Sequence, residues 1–576
     1  MTAIDRSRYR FGFDIGGTFT DIVVSSPDGE VHVAKCLSRP DAITRAVVDG
    51  LTDVIERERI PRDKIQEVIS GATTVVSNLI IEGKGASTGL LTTEGFPDLI
   101  EIAREVRYDI YDITAKLPKP VVPRRWRKET PERIDRDGNI LIPLDEDAAR
   151  RAIQELVADG VTSIAVCFLH AYRYPAHERR VREIAMEIAP ELFVSLSSDV
   201  LPEIREYERA SATTLNAYVR PYIGNYLEEL EQGLGGIGVK ATLNIMQSNG
   251  GVISRDYAET MPLRMLESGP AAGALAAAHV SGLLGAGDVV SFDMGGTTAK
   301  SCLISGGKPA VTTDFETARV HRFKKGSGLP VRLPVIDMME IGAGGGSIAR
   351  VDDTGLLKVG PDSAGAMPGP ACYGLGGEAP TVTDAALVLG YLDPAAKLGG
   401  QVRLHMDRAE QSIRTFIAEP LGMSVIEAAS GIYRIVCENM AAAAKVHAVE
   451  NGKDIRRYTL VAFGGAGPMH AREIARRLGC GKILVPANAG VFSAIGLLVA
   501  PVMTDSVRTF YTPLEGADWA DIERIYEELE ELTSDILIRT GIAPEQVSYE
   551  RTADLRYVGQ GFEVNTPLPG SFGPDT

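Results

Sequence analysis

The sequence contains few of the residues that build disulfide frameworks or structural metal sites. Its 576 residues include only six cysteines and eight histidines. The cysteines lie far apart without a Cys-x-x-Cys pair, and the histidines show no metal-ligand spacing. Zinc sites and small disulfide-rich domains depend on close, regular spacing of such residues. The sequence therefore argues against a disulfide scaffold and against a structural zinc site.

Long apolar segments and an excess of positive charge are also missing. Residues 1–10 are polar and contain no apolar signal core, and no segment of membrane-spanning length is sufficiently apolar. The 60 basic and 77 acidic residues give a formal net charge of −17, which disfavours binding to nucleic acid or anionic membranes. We therefore predict a cytoplasmic protein without a nucleic-acid or membrane partner.

Two common nucleotide-binding signatures are absent as well. The sequence has no Gly-x-x-x-x-Gly-Lys-Ser/Thr loop, and no complete Gly-x-Gly-x-x-Gly follows a predicted strand. These absences exclude the P-loop and dinucleotide-binding folds.

One motif occurs twice, about half the chain apart. The strings are Phe13-Asp14-Ile15-Gly16-Gly17-Thr18 and Phe292-Asp293-Met294-Gly295-Gly296-Thr297. In each copy an apolar run, Tyr9 to Ile15 and Val289 to Met294, predicts a strand with the aspartate at its end, and the glycine pair favours a tight hairpin. Such a turn presents backbone N–H groups to phosphate, and carboxylates are suitable ligands for Mg²⁺. The repeat predicts two related lobes, each with a phosphate-binding hairpin.

The predicted nucleotide site has three groups of residues. Asp14 and Asp293 are the predicted catalytic residues and Mg²⁺ ligands. Gly464 and Gly465, in a glycine turn between a predicted strand and a predicted helix, are assigned to the adenosine side of ATP. The phosphate-binding candidates are the hairpin glycines and threonines: Gly16, Gly17, Thr18, Thr20, Gly295, Gly296, Thr297 and Thr298.

The order of the motifs resembles that of the actin, Hsp70 and sugar-kinase superfamily. Two segments with many small residues, 268–278 and 490–500, are predicted to be helices that cross closely, and they alternate with the hairpins and the glycine turn as in that superfamily. The resemblance implies a two-lobed, ribonuclease H-like α/β ATPase fold. We predict an N-terminal lobe over residues 1–204, a core lobe over 205–505 and an additional, incomplete C-terminal α+β domain over 506–576.

Further strings along nearly the whole chain resemble the hydantoinase A/5-oxoprolinase family. They are Arg205-Glu206-Tyr207-Glu208-Arg209, Ser268-Gly269-Pro270-Ala271-Ala272-Gly273, Gly342-Ala343-Gly344-Gly345-Gly346-Ser347, Pro368-Gly369-Pro370-Ala371-Cys372-Tyr373-Gly374 and Pro380-Thr381-Val382-Thr383-Asp384-Ala385. The resemblance implies an ATP-dependent cyclic amidohydrolase that phosphorylates the carbonyl oxygen of a hydantoin, 5-oxoproline or related lactam. It also implies a hetero-oligomer with a metal-binding B-type subunit.

Other functions and roles stay open at the level of sequence. A ketone carboxylase subunit, a small-molecule kinase and an ATP-driven switch would share the same hairpins. Lys300, which aligns with Asp21 of the first hairpin, either neutralises a phosphate or faces solvent. Asp384 either caps a helix or takes part in catalysis, Cys372 is expected to be a packed thiol, and His470 lies near the nucleotide or serves packing. The 342–347 glycine segment, with Ser347, either lines a substrate cleft or forms a structural turn.

Overall fold

The N-terminal part of the chain begins the first of two similar sheets. The computed structural model describes residues 8–16, 19–38, 43–321, 324–398, 402–569 and 573. The first elements in chain order are β1 (Tyr9–Ile15), β2 (Phe19–Ser25), β3 (Val31–Leu37), α1 (Ile43–Arg57), β4 (Ile65–Gly71) and α2 (Thr73–Ile81). β1, β2 and β3 are antiparallel neighbours, and β4 runs parallel to β1 on its other side.

A smaller parallel sheet is inserted after α2. Its region contains β5 (Thr88–Thr93), α3 (Leu99–Ile102), β6 (Arg127–Thr130), β7 (Arg133–Ile134), β8 (Ile140–Ile142), α4 (Glu146–Ala158), β9 (Ser163–Cys167), α5 (Ala176–Ile188), β10 (Phe193–Leu196) and α6 (Ser197–Val200). The spatial order of its four strands is β10-β9-β5-β6. Buried apolar residues of β5, β9 and β10 pack against α4 and α5, and residues of β5 and β9 also pack against Ala210 and Ala217 of the long helix that begins at Glu206.

The chain then returns to complete the first sheet. The next elements are α7 (Glu206–Gly236), β11 (Thr242–Met246), β12 (Val252–Ser254), α8 (Arg255–Thr260) and α9 (Ser268–Leu284). β11 pairs parallel to β4, so the first sheet has the order β12-β11-β4-β1-β2-β3. This sheet therefore takes two strands from beyond residue 204, and the division of the chain at residues 204 and 505 stays a prediction.

The second sheet repeats the order and strand directions of the first. The elements of this part are β13 (Val289–Met294), β14 (Ala299–Ser305), β15 (Lys308–Pro309), β16 (Val311–Thr312), β17 (Glu316–Thr317), β18 (Leu329–Pro330), β19 (Val335–Ile336), β20 (Met338–Ile341), β21 (Ser347–Val351), β22 (Leu357–Ser363), α10 (Val382–Val388), β23 (Lys397–Leu398), β24 (Val402–Arg403), α11 (Met406–Ile413), α12 (Glu419–Leu421), α13 (Val425–Glu450), β25 (Thr459–Phe463), α14 (Gly467–Leu478), β26 (Ile483–Leu484) and α15 (Phe492–Val499).

The strands β20, β14, β13, β25 and β26 occupy the places that β3, β2, β1, β4 and β11 hold in the first sheet. β13, β14 and β20 are antiparallel neighbours, whereas β25 and β26 continue the sheet in parallel from β13. The duplicated arrangement confirms the predicted two-lobed α/β fold. The chain continues into α16 (Trp519–Ile538) and a hairpin of β27 (Thr552–Leu555) and β28 (Val564–Pro567).

The two small-residue helices, α9 and α15, cross closely between the sheets, as predicted. A Cβ atom added at Gly496 in α15 would lie 1.9 Å from the carbonyl oxygen of Ala272 in α9. Only glycine allows the backbones to approach so closely at this point. Apolar side chains from both helices and both sheets form one buried cluster around the crossing, so the helices join the two lobes.

Two predicted elements differ in the structure. The sequence over residues 206–232 predicts a helix that is broken or kinked at Pro221. In the structure this helix is α7, which continues through Pro221 as 31 residues. The carbonyl of Tyr218, one turn before the proline, accepts a hydrogen bond from the backbone N–H of Ala86, which lies outside the helix. The sequence over residues 547–564 predicts strand structure. In the structure this region contains the short strand β27, and β28 begins at its last residue.

None of the helices in the described part of the chain has the length and apolar composition needed to cross a membrane.

Candidate active site

The two repeated motifs form two matching hairpin turns. Asp14 lies near the end of β1 and Asp293 near the end of β13. The backbone N–H of Gly16 donates to the carbonyl of Phe19 at 3.0 Å, and Gly295 donates to Thr298 at the same distance. The predicted tight hairpins are confirmed by these equivalent hydrogen bonds. Gly17 and Thr18 of the first turn lie outside the described residues.

Each aspartate begins a row of charged residues that crosses three strands. In the first sheet, Asp14 is paired with Asp21 on β2, and Asp21 is paired with Lys35 on β3. In the second sheet, the corresponding row is Asp293 on β13, Lys300 on β14 and Glu340 on β20. Each row carries two acidic residues and one lysine. The lysine is paired directly with the hairpin aspartate only in the second sheet, where Lys300 lies opposite Asp293.

The lysines of both rows are held by contacts to the opposite lobe or to a neighbouring acid. The Lys35 ammonium donates to the Asp21 carboxylate and, at 3.1 Å, to the carbonyl oxygen of Gly490 before α15. The Lys300 ammonium donates to Glu267, directly before α9, at 2.7 Å. Lys300 therefore faces the interior of the site, and its predicted solvent-facing alternative is wrong.

The carboxylates of the site are protonated more readily than ordinary aspartates. Burial, together with the charges of Asp21 and Asp293, raises the pKa of Asp14 to about 7. Burial also raises the pKa of Asp293, although Lys300 and the Ser493 hydroxyl oppose this rise by favouring the anion. Because the charge of Asp293 contributes to the raised pKa of Asp14, the two hairpins place their carboxylates in one electrostatic site.

This donor set fits a phosphate-bound Mg²⁺. Asp14 and Asp293 are both partly exposed, and Mg²⁺ is commonly bound through one or two carboxylates together with substrate phosphates and water. A bound cation would also relieve the repulsion that raises the pKa of Asp14. No group of three or more His, Cys, Asp or Glu side chains with metal-binding geometry occurs in the part of the chain that the structure describes.

The second turn is open to a ligand, whereas one threonine of the first hairpin is engaged. Gly296 and Thr297 are exposed, and Gly295 and Thr298 are partly exposed. Thr20 is only 1% exposed, and its hydroxyl is hydrogen-bonded to that of Ser38 at 3.1 Å. The assignment of the hairpin residues to phosphate stays a prediction.

The glycine turn after β25 lies directly against the second hairpin. Gly464 has a φ of +83°, and a Cβ atom added there would lie 2.3 Å from Oδ1 of Asp293. The neighbouring Gly465 is exposed, and nothing lies within 4 Å of its corresponding Cβ position. Gly464 therefore packs against the carboxylate, while Gly465 leaves open space beside it. The nucleotide role of both glycines stays a prediction.

The start of α9 encloses Asp14 from the other side. A Cβ atom added at Gly269 would lie 2.6 Å from Oδ1 of Asp14, and the N–H of Gly269 donates to the Thr73 hydroxyl at 2.7 Å. Ser493 in α15 donates to Asp293 at 3.3 Å. The two crossing helices thus place their N-terminal ends beside the two carboxylates.

Two of the other candidate residues serve the structure. Asp384 is fully buried and accepts hydrogen bonds from the backbone of Thr381 and Cys372, at 2.8 and 2.7 Å, in a capping box at the start of α10. Cys372 is a buried, packed thiol, as expected, and burial raises its pKa.

The glycine segment 342–347 also has a structural role. The N–H groups of Gly345 and Gly346 donate to the carbonyls of Gly295 and Gly296, at 3.0 and 2.6 Å. Ser347 is fully buried and accepts a hydrogen bond from Gly344 at 2.9 Å. This segment therefore stabilises the second turn through backbone hydrogen bonds, and the buried hydroxyl of Ser347 is engaged within the segment itself.

His470 is packed within the second lobe. It is fully buried, its ring stacks on Tyr433 with 5.0 Å between centroids, and its Nδ1 lies 3.5 Å from Sγ of Cys437. Burial lowers its pKa to about 4, so it is neutral at pH 7. These contacts favour the packing alternative.

Sequence reasoning did not find Lys35 and Glu267. Lys35 lies on a strand without a motif, and its place in the site follows only from the three-strand row. Glu267 directly precedes the Ser268-Gly269-Pro270 string, so its position beside a recognised motif was an available signal.

Comparisons with known proteins agree with the resemblance over almost the whole chain. The profile of the hydantoinase/oxoprolinase family matches residues 209–506, and the profile of its N-terminal region matches residues 10–189. The caprolactamase subunit alpha of Pseudomonas jessenii is 35% identical over 98% of this chain and 81% of its own length. The 5-oxoprolinase 1 of Arabidopsis thaliana is 31% identical over 97% of this chain and 46% of its own length.

Two solved structures share the fold. The ATP-dependent caprolactamase from Pseudomonas jessenii matches with a TM-score of 0.84 and 34% identity, covering 97% of this chain and 81% of that one. The nucleotide-free structure of an acetone carboxylase matches with a TM-score of 0.79 and 29% identity, with the same coverage. The sequence and the fold together establish that the chain belongs to the hydantoinase/oxoprolinase family.

Proposed function

We propose that the chain is the ATP-binding subunit of an enzyme that hydrolyses a cyclic amide. The observation that carries the proposal is the pair of matching hairpins, whose carboxylates Asp14 and Asp293 share one site between two lobes. Family membership restricts the reactions to consider, because relatives of this chain are named an ATP-dependent caprolactamase and a 5-oxoprolinase. Both names describe the opening of a lactam.

ATP would lie between the lobes with its phosphates against the two turns. The backbone N–H groups of the turns and the hydroxyls of Thr18, Thr297 and Thr298 would position the phosphates, while Gly464 and Gly465 would face the adenosine. Asp14 and Asp293 would hold Mg²⁺, which neutralises charge on the phosphates when bound. The remaining phosphate candidates are Gly16, Gly17, Thr20, Gly295 and Gly296.

Phosphorylation explains why the opening of a stable ring would be coupled to ATP. The amide oxygen attacks the γ-phosphorus, so that a new P–O bond forms and the bond to ADP breaks. Water then adds to the carbonyl carbon. The ring C–N bond breaks with a proton moving to nitrogen, which leaves an acyl phosphate. A second water adds to the acyl carbon, and the C–O bond to phosphate breaks to give an amino acid and inorganic phosphate. A poor leaving oxygen is thereby converted into a good one.

A second subunit would carry out the hydrolytic step. Several relatives bear names of subunits, including the caprolactamase subunit alpha and the acetone carboxylase beta subunit. We propose a metal-binding B-type partner in a hetero-oligomer. We also propose a division of the chain into regions 1–204 and 205–505 and a further domain over 506–576, with the second region contributing β11 and β12 to the sheet of the first lobe.

Ketone carboxylation is the second candidate function, because the acetone carboxylase structure shares the fold over 97% of this chain. The two reactions share the phosphorylation of a carbonyl oxygen but differ in the second reactant, which is water for the amide and bicarbonate for the ketone.

Substrate-stimulated ATP hydrolysis tests the proposal. The chain, purified with its partner, is assayed with hydantoin, 5-oxoproline, caprolactam and simple ketones, each with and without bicarbonate. We expect one cyclic amide to stimulate phosphate release without bicarbonate. Stimulation by a ketone only with bicarbonate would instead establish the carboxylase. If ATP is bound but no compound stimulates its hydrolysis, a kinase or an ATP-driven switch becomes the better account.

A further inference from the structure

The ion pair between Glu267 and Lys300 connects the two lobes at the candidate active site. Lys300 lies on β14 of the second sheet, directly opposite Asp293. Glu267 precedes α9 and is fixed to the first lobe, because its backbone N–H donates at 3.1 Å to the hydroxyl of Ser248, in the loop between β11 and β12. The ammonium and carboxylate are 2.7 Å apart, and both side chains are less than one-fifth exposed.

Ser248 fixes the backbone around Glu267 through hydrogen bonds of its own hydroxyl and N–H groups. Its hydroxyl donates to the carbonyl of Arg264 at 2.7 Å, and its backbone N–H donates to the same carbonyl at 2.7 Å. Ser248 is only 2% exposed. Because Arg264 and Glu267 lie on the same short connection into α9, the serine fixes that connection at two points. The backbone of Glu267 is therefore held in one place relative to the first sheet.

The surroundings of Lys300 suggest that its charge acts on a ligand as well as on Glu267. Burial alone lowers the pKa of Lys300, but Glu267, Glu340 and Asp293 raise it above its usual value, so the side chain stays cationic. The same charge acts on both Asp14 and Asp293 across the site. Lys300 is thus a fixed positive charge beside the second turn, whose Gly296 and Thr297 are exposed, so an anionic ligand is expected there.

We propose that Lys300 binds the terminal phosphates of the nucleotide, and that Glu267 is a positioning residue that holds the lysine ammonium between the two turns. This inference rests on the proposed function, because it requires ATP at the hairpins. It adds a cationic phosphate ligand to the glycines and threonines of the turns, and it gives Glu267 a role that acts through another side chain.

The first test compares the affinities of the chain for ATP and AMP by calorimetric titration in the presence of Mg²⁺. If Lys300 contacts the terminal phosphates, Lys300→Met lowers the affinity for ATP about 10- to 100-fold, the range expected for a charge-assisted hydrogen bond. The affinity for AMP, which lacks those phosphates, stays within about threefold of the wild-type value. Lys300→Arg, which keeps the charge, recovers part of the ATP affinity.

Lys308→Met is the matched control. Lys308 lies on β15, next to β14 in the same sheet, but it is 81% exposed and its ammonium lies 3.5 Å from the exposed carboxylate of Glu550. We expect wild-type affinities for both nucleotides. If Lys300→Met also leaves the ATP affinity within threefold, or lowers the affinities for ATP and AMP equally, the proposed contact is wrong.

A double-variant cycle tests the role of Glu267. Glu267→Gln is expected to lower the ATP affinity about twofold to fivefold, as for the loss of a partly exposed ion pair, and to leave the AMP affinity unchanged. In the Lys300→Met background the same substitution has no further effect if Glu267 acts through Lys300. Equal effects in both backgrounds would overturn the positioning role.

The failure of this inference is distinguishable from the failure of the proposed function. If the wild-type chain binds neither nucleotide, the proposed function is wrong and the inference with it. If the wild-type chain binds ATP and Lys300→Met does not lower the affinity for ATP more than that for AMP, only the inference is wrong.

Discussion

Replacement of Gly464 by alanine tests how the glycine turn is packed against Asp293. The added Cβ atom would lie 2.3 Å from the Asp293 carboxylate and 2.6 Å from the carbonyl oxygen of Met294. A side chain at the φ of +83° also costs about 1–2 kcal/mol, because a Cβ atom crowds the backbone in left-handed conformations. Relief of the overlap adds about 1–3 kcal/mol of overpacking. The total destabilisation is therefore about 2–5 kcal/mol.

Gly465→Ala provides the matched control in the adjacent position. Its Cβ atom would meet no other atom within 4 Å, and its backbone does not require glycine. The change in folding free energy is expected to stay within about 0.5 kcal/mol.

Thermal unfolding followed by circular dichroism measures the difference. We expect Gly464→Ala to lower the Tm by about 4–20 °C, taking about 2–4 °C for each kcal/mol in a lobe of this size. Gly465→Ala should unfold close to the wild-type temperature. An unchanged Tm in the Gly464 variant, or equal losses in both variants, would refute the close packing of the turn against Asp293.

Three further predictions concern titratable groups. Asp384→Asn should lower the free energy of unfolding by about 2–4 kcal/mol, because the charged acceptor of the capping box is lost, and should leave the relative affinities for ATP and AMP unchanged in calorimetric titration. The folded-state pKa of Asp14 is raised to about 7, so the folded protein binds more protons than the unfolded chain between about pH 4 and 7, and stability due to this group falls as pH rises. In nucleotide-free protein, the Tm of Asp14→Asn relative to wild type should thus increase from pH 4 to 7 and level off above, and a constant difference would contradict this. His470→Gln should preserve the wild-type pH profile of ATP hydrolysis between pH 5.5 and 8, since burial keeps His470 neutral throughout that range; a new or lost titration step would contradict the packing role.

The repeated hairpins were predictable because their signals are local. β1 and β13 begin and end where the sequence predicts, since each apolar run ends at an Asp-x-Gly-Gly string. The close crossing of α9 and α15 was predictable from their small residues, because such helix faces allow the backbones to approach.

Features set by contacts distant in the sequence were not predictable. β11 joins the first sheet through pairing with β4, more than 170 positions earlier in the chain, and the carbonyl of Tyr218 in α7 accepts a hydrogen bond from Ala86, outside the helix. The same holds for the site. Asp14 and Asp293 belong to a repeated motif, whereas Lys35 and Glu267 reach the site only through strand register and the path into α9.

The fate of the amide oxygen tests the central claim most directly. The complex would be supplied with ATP and with the stimulating cyclic amide labelled with ¹⁸O in its carbonyl group, and the released phosphate would be analysed by mass spectrometry. If the carbonyl oxygen is phosphorylated before the ring opens, the label appears in inorganic phosphate, with one labelled phosphate for each ring opened. If all of the label stays in the ring-opened acid while unlabelled phosphate is released, the carbonyl oxygen does not leave with phosphate and the proposed mechanism is wrong.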